Sequence, residues 1–386
     1  MLRFLTSGES HGYCLNSIIE GIPAGLALVP DDINRDLARR QIGYGRGKRM
    51  EIEQDEAEIV SGVRFGKTLG SPISIIIKNR DWLNWQDRMS IEPFDDCAIA
   101  PITNPRPGHA DLPGALKYNH YDVRNVLERA SARETAARVA VGSVCRKLLA
   151  EFDIKVFSYV LEIKGIKANI AGQSYRDLYK KAEASVLRCP CPQAEQKMIK
   201  AIDRARAGGN SLGGVFEVVA EGVPPGLGSY SHWDQRLDGR LAQALMSIPA
   251  IKGVEVGMGF EAARRPGSMV HDEIHFAKKR GFYRKTNNAG GIEGGISNGE
   301  YIVLRAAMKP IATLYSPLRS VDIISKKALS ATVERSDICR VPSAAVIGEA
   351  MVCLEIARAL LEKFGGDSIQ ETKRNYSAYL KQIREF

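Results

Sequence analysis

The chain has 386 residues, 44% hydrophobic and 26% charged, with 54 Lys and Arg against 45 Asp and Glu for a net charge of +9. That balance supports one large core or two ordinary ones and excludes a largely disordered chain. No apolar run approaches the roughly 18 residues of a membrane span, and Met1–Ser7 lacks the apolar stretch of a secretory signal, so the chain is expected to be cytoplasmic, with no membrane partner.

The first elements are a strand to Thr6, a turn Gly8-Glu9-Ser10-His11-Gly12, and a strand from Cys14 to Glu20. Glycines on both sides of the turn let the backbone reverse and leave the His11 imidazole uncovered, where it can donate or accept a proton near neutrality. Pro30-Asp31-Asp32 opens a helix that runs through Ile33, Leu37 and Arg40 and breaks at Gly43. The glycine–basic loop Gly43-Tyr44-Gly45-Arg46-Gly47-Lys48-Arg49 can bring backbone N–H groups and guanidiniums onto one anion.

Strands are expected at Ile59–Phe65 and Ile73–Lys78, followed by an irregular stretch over 79–127 that holds Arg106, His109 and, in a loop, Pro113. A loop that long inside a folded chain is usually functional. A helix is expected from about Ser131 to Ala150, a strand over 155–165, and a charged helical insertion at about 172–207. A strand from Val215 to Glu221, a helix from Asp234 to Ser247, strands at Val254–Gly257 and Tyr301–Met308, and a helix from Ala344 to Phe364 follow. The stretches Glu128-Arg129-Ala130-Ser131-Ala132-Arg133 and Glu334-Arg335-Ser336-Asp337 resemble each other, each setting arginine and a small hydroxyl residue before a long helix. They hint at an internal duplication. No linker divides the chain, which reads as one α+β domain over 1–386.

Several motifs mislead. Gly257-Met258-Gly259 follows a strand, but Arg264-Arg265-Pro266-Gly267 stands where a dinucleotide site needs a helix. Phe65-Gly66-Lys67-Thr68 ends like a phosphate-binding loop with its upstream glycine misplaced. Cys189-Pro190-Cys191-Pro192 is a C-x-C rather than the paired C-x-x-C of a zinc site, and no metal is expected. The seven cysteines follow no repeated framework, as suits reduced thiols. The positive charge invites a nucleic-acid reading, but the chain has no basic tail or aromatic-interleaved stripe, and no nucleic-acid partner is expected. Its arginines stand beside glycines and helix starts, where a small anion would be held two oxygens at a time.

Ser10, His11, Arg40, Arg46, Arg49, Arg106, His109, Arg129, Ser131, Arg133, Arg335 and Asp337 together describe a site for a small, highly anionic molecule with proton donors at hand. The stretches that contain them are Gly-Glu-Ser-His-Gly (8–12), Arg-Arg-Gln-Ile-Gly-Tyr-Gly-Arg-Gly (39–47), Arg-Pro-Gly-His-Ala-Asp (106–111) and Ala-Ser-Ala-Arg-Glu-Thr-Ala (130–136). Gly-Gly-Ile-Ser-Asn-Gly (294–299), Lys-Pro-Ile-Ala-Thr (309–313) and Glu-Arg-Ser-Asp (334–337) follow in order. In these the sequence resembles the chorismate synthase family over essentially its whole length.

The resemblance implies long helices sandwiched between antiparallel sheets, a homotetramer, and an anti-1,4-elimination of phosphate from 5-enolpyruvylshikimate 3-phosphate to give chorismate. It implies a requirement for reduced FMN without net redox change, with NADPH as a reductant or a separate flavin reductase as partner. It places Arg40, Arg46, Arg49, Arg106, Arg133 and Arg335 on substrate anions, with Arg40 and Arg46 also at NADPH positions. It places Arg129, Ala130, Ser131, Pro249, Ala250, Gly294, Lys309, Pro310, Ile311, Ala312, Thr313 and Arg335 on FMN. His11 would protonate the leaving phosphate, His109 would stabilise the reduced flavin ring, Asp337 would relay a proton from the flavin, and Ser10 and Ser131 would serve as relays. A flavin oxidoreductase with net turnover is the competing enzyme class.

Overall fold

Two antiparallel sheets form, the first from strands of alternating burial and the second around central strands that are buried almost continuously. A computed structural model describes residues 1–46, 54–93 and 99–386. In the first sheet Arg3–Ser7 pairs with Cys14–Glu20, which pairs with Ile73–Lys78, which Ala57–Ile59 flanks. Every second residue, Leu15, Ile19, Ile73, Ile75 and Ile77, is buried on one face, as a period of two requires. The second sheet runs in the order Ile251–Val256, Ile302–Met308, Gly214–Glu221, Lys155–Ile163, Ile166–Lys167, antiparallel throughout.

The helices fill the space between. Thr135–Ala150 lies on the first sheet, Val341–Phe364 on the second, and the two pack against each other, with Pro30–Gln41 against both. The sandwich expected from the resemblance is thus the observed architecture. Gly142 makes the central crossing close: a Cβ there would lie 2.4 Å from the Cβ of Ala350 and 2.5 Å from its Cα. Val341–Phe364 is buried on nearly every face, so it carries its own buried charge, Glu349, between Arg39 (2.8 Å), Arg146 (2.6 Å) and Arg188 (3.1 Å). Burial alone would raise the Glu349 carboxyl, but the three guanidiniums outweigh it and hold it down at about 2.

Three expectations need correction. The stretch 59–65 is not one strand: Ala57–Ile59 ends at the turn-forming Ser61-Gly62, where Ser61 Oγ donates to Pro72 O at 3.1 Å, and Val63–Arg64 starts a small hairpin with Lys67–Thr68. The segment 79–127 is not all irregular, since it contains the helices Asp111–Tyr118 and Arg124–Leu127. Pro113 sits in the first turn of the former, where its missing N–H has no intrahelical partner to lose. A final helix, Ile369–Glu385, was not anticipated, although Ser368 and Glu371 form a start signal: Ser368 Oγ accepts from Glu371 N–H. In the charged segment at 172–207 the structure has helices Tyr175–Glu183 and Pro192–Ala207, interrupted around Cys189-Pro190-Cys191. No described helix is long and apolar enough to cross a membrane.

Candidate active site

The starts of both central helices and of Asp111–Tyr118 open on one cleft of about 940 Å³. Helix N-termini carry partial positive charge, so the backbone itself favours an anion there. Ser131 and Arg133 stand before the first helix, Asp337 and Arg340 before the second, and Arg106, His109 and Ala110 before the third.

His11 enters from the first hairpin. Gly8, at φ 98°, turns the chain where a side chain would collide with Cys14 O. The turn is pinned to Glu128, which is 2% exposed: Ser10 N–H donates to its carbonyl at 3.0 Å and His11 N–H to its carboxylate at 2.9 Å. The same carboxylate lies 2.9 Å from His11 Nδ1. Trp85 stacks on the imidazole, centroids 3.7 Å apart and planes 20° apart. Ser131 Oγ donates to Ser10 Oγ at 3.1 Å, joining the hairpin to the helix start.

His109 has the same construction. Its Nδ1 lies 2.5 Å from Asp111 Oδ1, and Asp111, fully buried, also accepts from Arg106 Nε at 2.8 Å and Arg106 Nη2 at 3.0 Å. Burial pushes the Asp111 carboxyl up, and the hydrogen bonds and charges of His109 and Arg106 more than reverse this, leaving it far below the ordinary carboxylate range. Arg106 Nη1 reaches Thr313 Oγ1 at 2.9 Å. Each histidine therefore has Nδ1 taken up by a buried carboxylate, which leaves Nε2 for a ligand.

The other cations fall into two sets. Arg40 and Arg133 share Asp55, at 3.2 and 2.9 Å, and Arg46 and Arg340 share Asp337, at 3.0 and 2.5 Å. Lys252, Lys309 and Arg335 line the same cleft with no ion pair among the described residues. Among the described residues Lys309 Nζ donates only to Gly108 O, at 2.9 Å. Burial chiefly, and the like charge of Lys252, hold its amine below the usual lysine value. Met246, Ile248, Ile251, Met308, Ile311 and Ala312 form the apolar part of the wall. Ala250, beside Pro249 in that wall, holds φ at 71°, a left-handed conformation costly to any residue with a Cβ.

The cleft thus gathers Ser10, His11, Arg40, Arg46, Arg106, His109, Ala130, Ser131, Arg133, Pro249, Ala250, Lys309, Ile311, Ala312, Thr313, Arg335 and Asp337. It does not gather all the expected residues. Arg49 lies outside the described residues. The Arg129 guanidinium is turned back onto Thr6 O and Gly8 O, at 2.9 and 3.0 Å, and so braces the hairpin. Gly294 and Pro310 do not line the cleft. Glu128, Asp111, Asp55, Trp85, Lys252 and Arg340 were missed as site-forming residues. Glu128 and Asp111 belong to motifs that were visible; nothing local marks Asp55 or Trp85, which act across the fold. Among the described residues no group of His, Cys, Asp or Glu could hold a metal.

Two cation sets, two imidazoles each backed by a buried carboxylate, and an apolar wall thus meet in one cleft. The sequence matches the family described as chorismate synthase over residues 2–361. It is 58% identical over 393 residues to the chorismate synthase of Geobacter sulfurreducens, covering all of both chains. It is 57% identical to that of Aquifex aeolicus, covering all of this chain and 99% of the other. A solved structure titled "Crystal Structure of Chorismate Synthase" superposes with a TM-score of 0.82 at 48% identity, over all of this chain and 99% of that one. With this coverage of sequence and fold, the chain belongs to the chorismate synthase family, lyases that form chorismate in aromatic amino-acid biosynthesis.

Proposed function

We propose that the cleft binds 5-enolpyruvylshikimate 3-phosphate next to reduced FMN and eliminates phosphate from it, with His11 and His109 as the ionisable groups that face the two ligands. The observation that supports this best is the pairing of two imidazoles, each backed by a buried carboxylate, with cations in the same cleft that have no carboxylate partner among the described residues.

The fit to a flavin phosphate rests on Lys309 and Lys252, two neighbouring ammonium groups with no carboxylate at ion-pair distance among the described residues. The apolar residues Ile248, Ile251, Met308 and Ile311 suit a flat ring, and Thr313 and Ala312 continue the wall. When bound, reduced FMN would lend an electron that it regains at the end and would take up the hydrogen lost from the substrate ring, so that the elimination has no net redox change. The chain supplies the rest. Arg40, Arg46, Arg106, Arg133 and Arg335 hold the substrate's carboxylates and phosphate, and the helix starts at Thr135 and Val341 add their dipoles. His11 gives a proton from Nε2 to the leaving phosphate oxygen. His109 stabilises negative charge on the reduced cofactor, and Asp337, held by Arg46 and Arg340, is placed to move a proton. Ser10 and Ser131, in mutual hydrogen bond, form a relay at the hairpin.

The same reading takes the enzyme as a cytoplasmic homotetramer, with NADPH at Arg40 and Arg46 as reductant or a separate flavin reductase in its place. An anaerobic assay tests it: full-length protein with pre-reduced FMN should release one phosphate per chorismate without flavin oxidation. Flavin oxidised in step with product would instead make it an oxidoreductase. Activity with oxidised FMN plus NADPH separates self-reduction from dependence on a reductase.

A further inference from the structure

We propose that Glu128 is a positioning residue for His11, fixing the ring's orientation and which ring nitrogen faces the cleft. The proposal rests on the reading of His11 as the proton donor and assigns a residue through which that role is maintained.

The grip has two points. One carboxylate accepts from the His11 backbone N–H at 2.9 Å and lies 2.9 Å from the ring Nδ1, so turn and rotamer are fixed together. Glu128 is 117 positions away in sequence, on a buried turn whose carbonyl also holds Ser10 N–H. Asn79 Nδ2 donates to His11 O at 3.1 Å, and Trp85 covers one ring face. The ring therefore has little freedom left to flip. With Nδ1–H donating to Glu128, the neutral ring presents Nε2 bare and the charged ring presents Nε2–H, the form that can protonate a leaving oxygen.

Glu128 faces His11 directly, and burial, which would raise the Glu128 carboxyl, is outweighed by hydrogen bonds and charge from His11 with a smaller part from Arg124, so it stays ionised. Arg124 Nη1 shares Glu128 at 3.0 Å, and Arg124 and Arg88 stand over Trp85 at 5.3 and 5.7 Å, moderating but not replacing the carboxylate. On the cleft side Arg40, Arg46, Arg106 and Arg133 each already face a carboxylate, Asp55, Asp337 or Asp111. Lys252, Lys309 and Arg335 line the same cleft, and among the described residues the charged group in hydrogen-bond contact with the His11 ring is Glu128. Asp111 stands behind His109 in the same way, but it also anchors Arg106, so Glu128 gives the cleaner test.

The test is the pH dependence of kcat for full-length Glu128→Gln with reduced FMN and substrate under anaerobic conditions, beside wild type and His11→Ala. Gln can still accept from Nδ1, so the change is chiefly one of charge. The alkaline limb of kcat should be displaced in Glu128→Gln, so that the ratio of the two activities changes with pH. A loss equal at every pH, with the limb unmoved, overturns the role of Glu128. If the limb persists in His11→Ala, the reading of His11 itself fails. Should Glu128→Gln not fold, ¹⁵N-histidine NMR of wild type, with His11→Ala for assignment, decides instead. The neutral His11 ring should carry its proton on Nδ1, and a proton on Nε2 would overturn the proposal.

Discussion

Gly142 and Ala350 meet across the two central helices with no room for a further carbon, since a Cβ at 142 would lie 2.4 Å from the Ala350 Cβ. Both helices begin at the cleft, so their spacing sets the spacing of Arg133 and Asp337. Gly142→Ala should therefore destabilise the protein by about 1–3 kcal/mol, as overpacking does, and lower kcat as well. Adding Ala350→Gly should restore only part of the melting temperature, because the Cα and carbonyl oxygen of residue 350 would still lie 2.5 and 2.7 Å from the new carbon. Thermal unfolding and steady-state kinetics on the two variants check both statements.

Asp55 places a negative charge between Arg40 and Arg133 inside the cleft wall. Asp55→Asn keeps a hydrogen-bond acceptor but leaves the two guanidiniums with one negative charge fewer. The expected result is a lower melting temperature in dilute buffer, with a loss approaching the roughly 3–5 kcal/mol seen when a buried ion pair loses a partner. Sulfate or phosphate should then stabilise the variant more than the wild type, by occupying the vacated charge position. Equal anion shifts in the two proteins would show that Asp55 does not preorganise an anion site.

The α+β class was legible because segments such as Ile73–Lys78 and Ala344–Phe364 carry their own apolar pattern, whereas the sandwich arrangement was implied by the family resemblance. The site was legible where glycines and helix starts gather chemistry locally, as at His11, His109 and Asp337. It was illegible where a residue acts across the fold. Glu128 and Arg129 are adjacent in one motif, yet the first grips His11 while the second braces Thr6 and Gly8. Glu128-Arg129 resembles Glu334-Arg335 in sequence, yet packing separates the two arginines: Arg335 is exposed in the cleft, and Arg129 is spent on backbone carbonyls. Arg335→Ala should then weaken substrate or flavin binding with little change in melting temperature. Arg129→Ala should lower the melting temperature and disturb His11 only through the hairpin. Isothermal titration paired with thermal unfolding separates the two.

Glu349 ties Pro30–Gln41, the two central helices and the second sheet through Arg39, Arg146, Arg188 and Ser158. Its carboxyl is held down at about 2, well below an unfolded glutamate near 4.5. A group depressed by folding adds stability above its unfolded value, and that stability is lost as pH falls toward the folded one. Wild type should therefore lose stability progressively between about pH 5 and pH 2. Glu349→Gln should begin less stable at pH 7 and show a shallower decline over that window. Urea midpoints measured from pH 7 to pH 3 give the comparison, and parallel declines would remove Glu349 from the account of acid sensitivity.

Lys309 offers the most direct test of the flavin phosphate position. Its amine is held below the ordinary lysine value by burial and by Lys252, with Gly108 O as its one hydrogen-bond partner among the described residues. An arriving phosphate reverses both effects, since it supplies the missing negative charge and favours the protonated amine. Binding should thus take up protons at alkaline pH and progressively fewer as pH falls to neutrality, where the amine is already charged. Titrating FMN under reducing conditions in two buffers of different ionisation enthalpy reads the proton count directly. Lys309→Met should abolish the uptake and weaken binding about tenfold or more, the worth of one charge-assisted hydrogen bond. Riboflavin, which lacks the phosphate, should bind both proteins alike; a Lys309→Met variant that loses riboflavin as strongly as FMN would place the lysine against the ring instead.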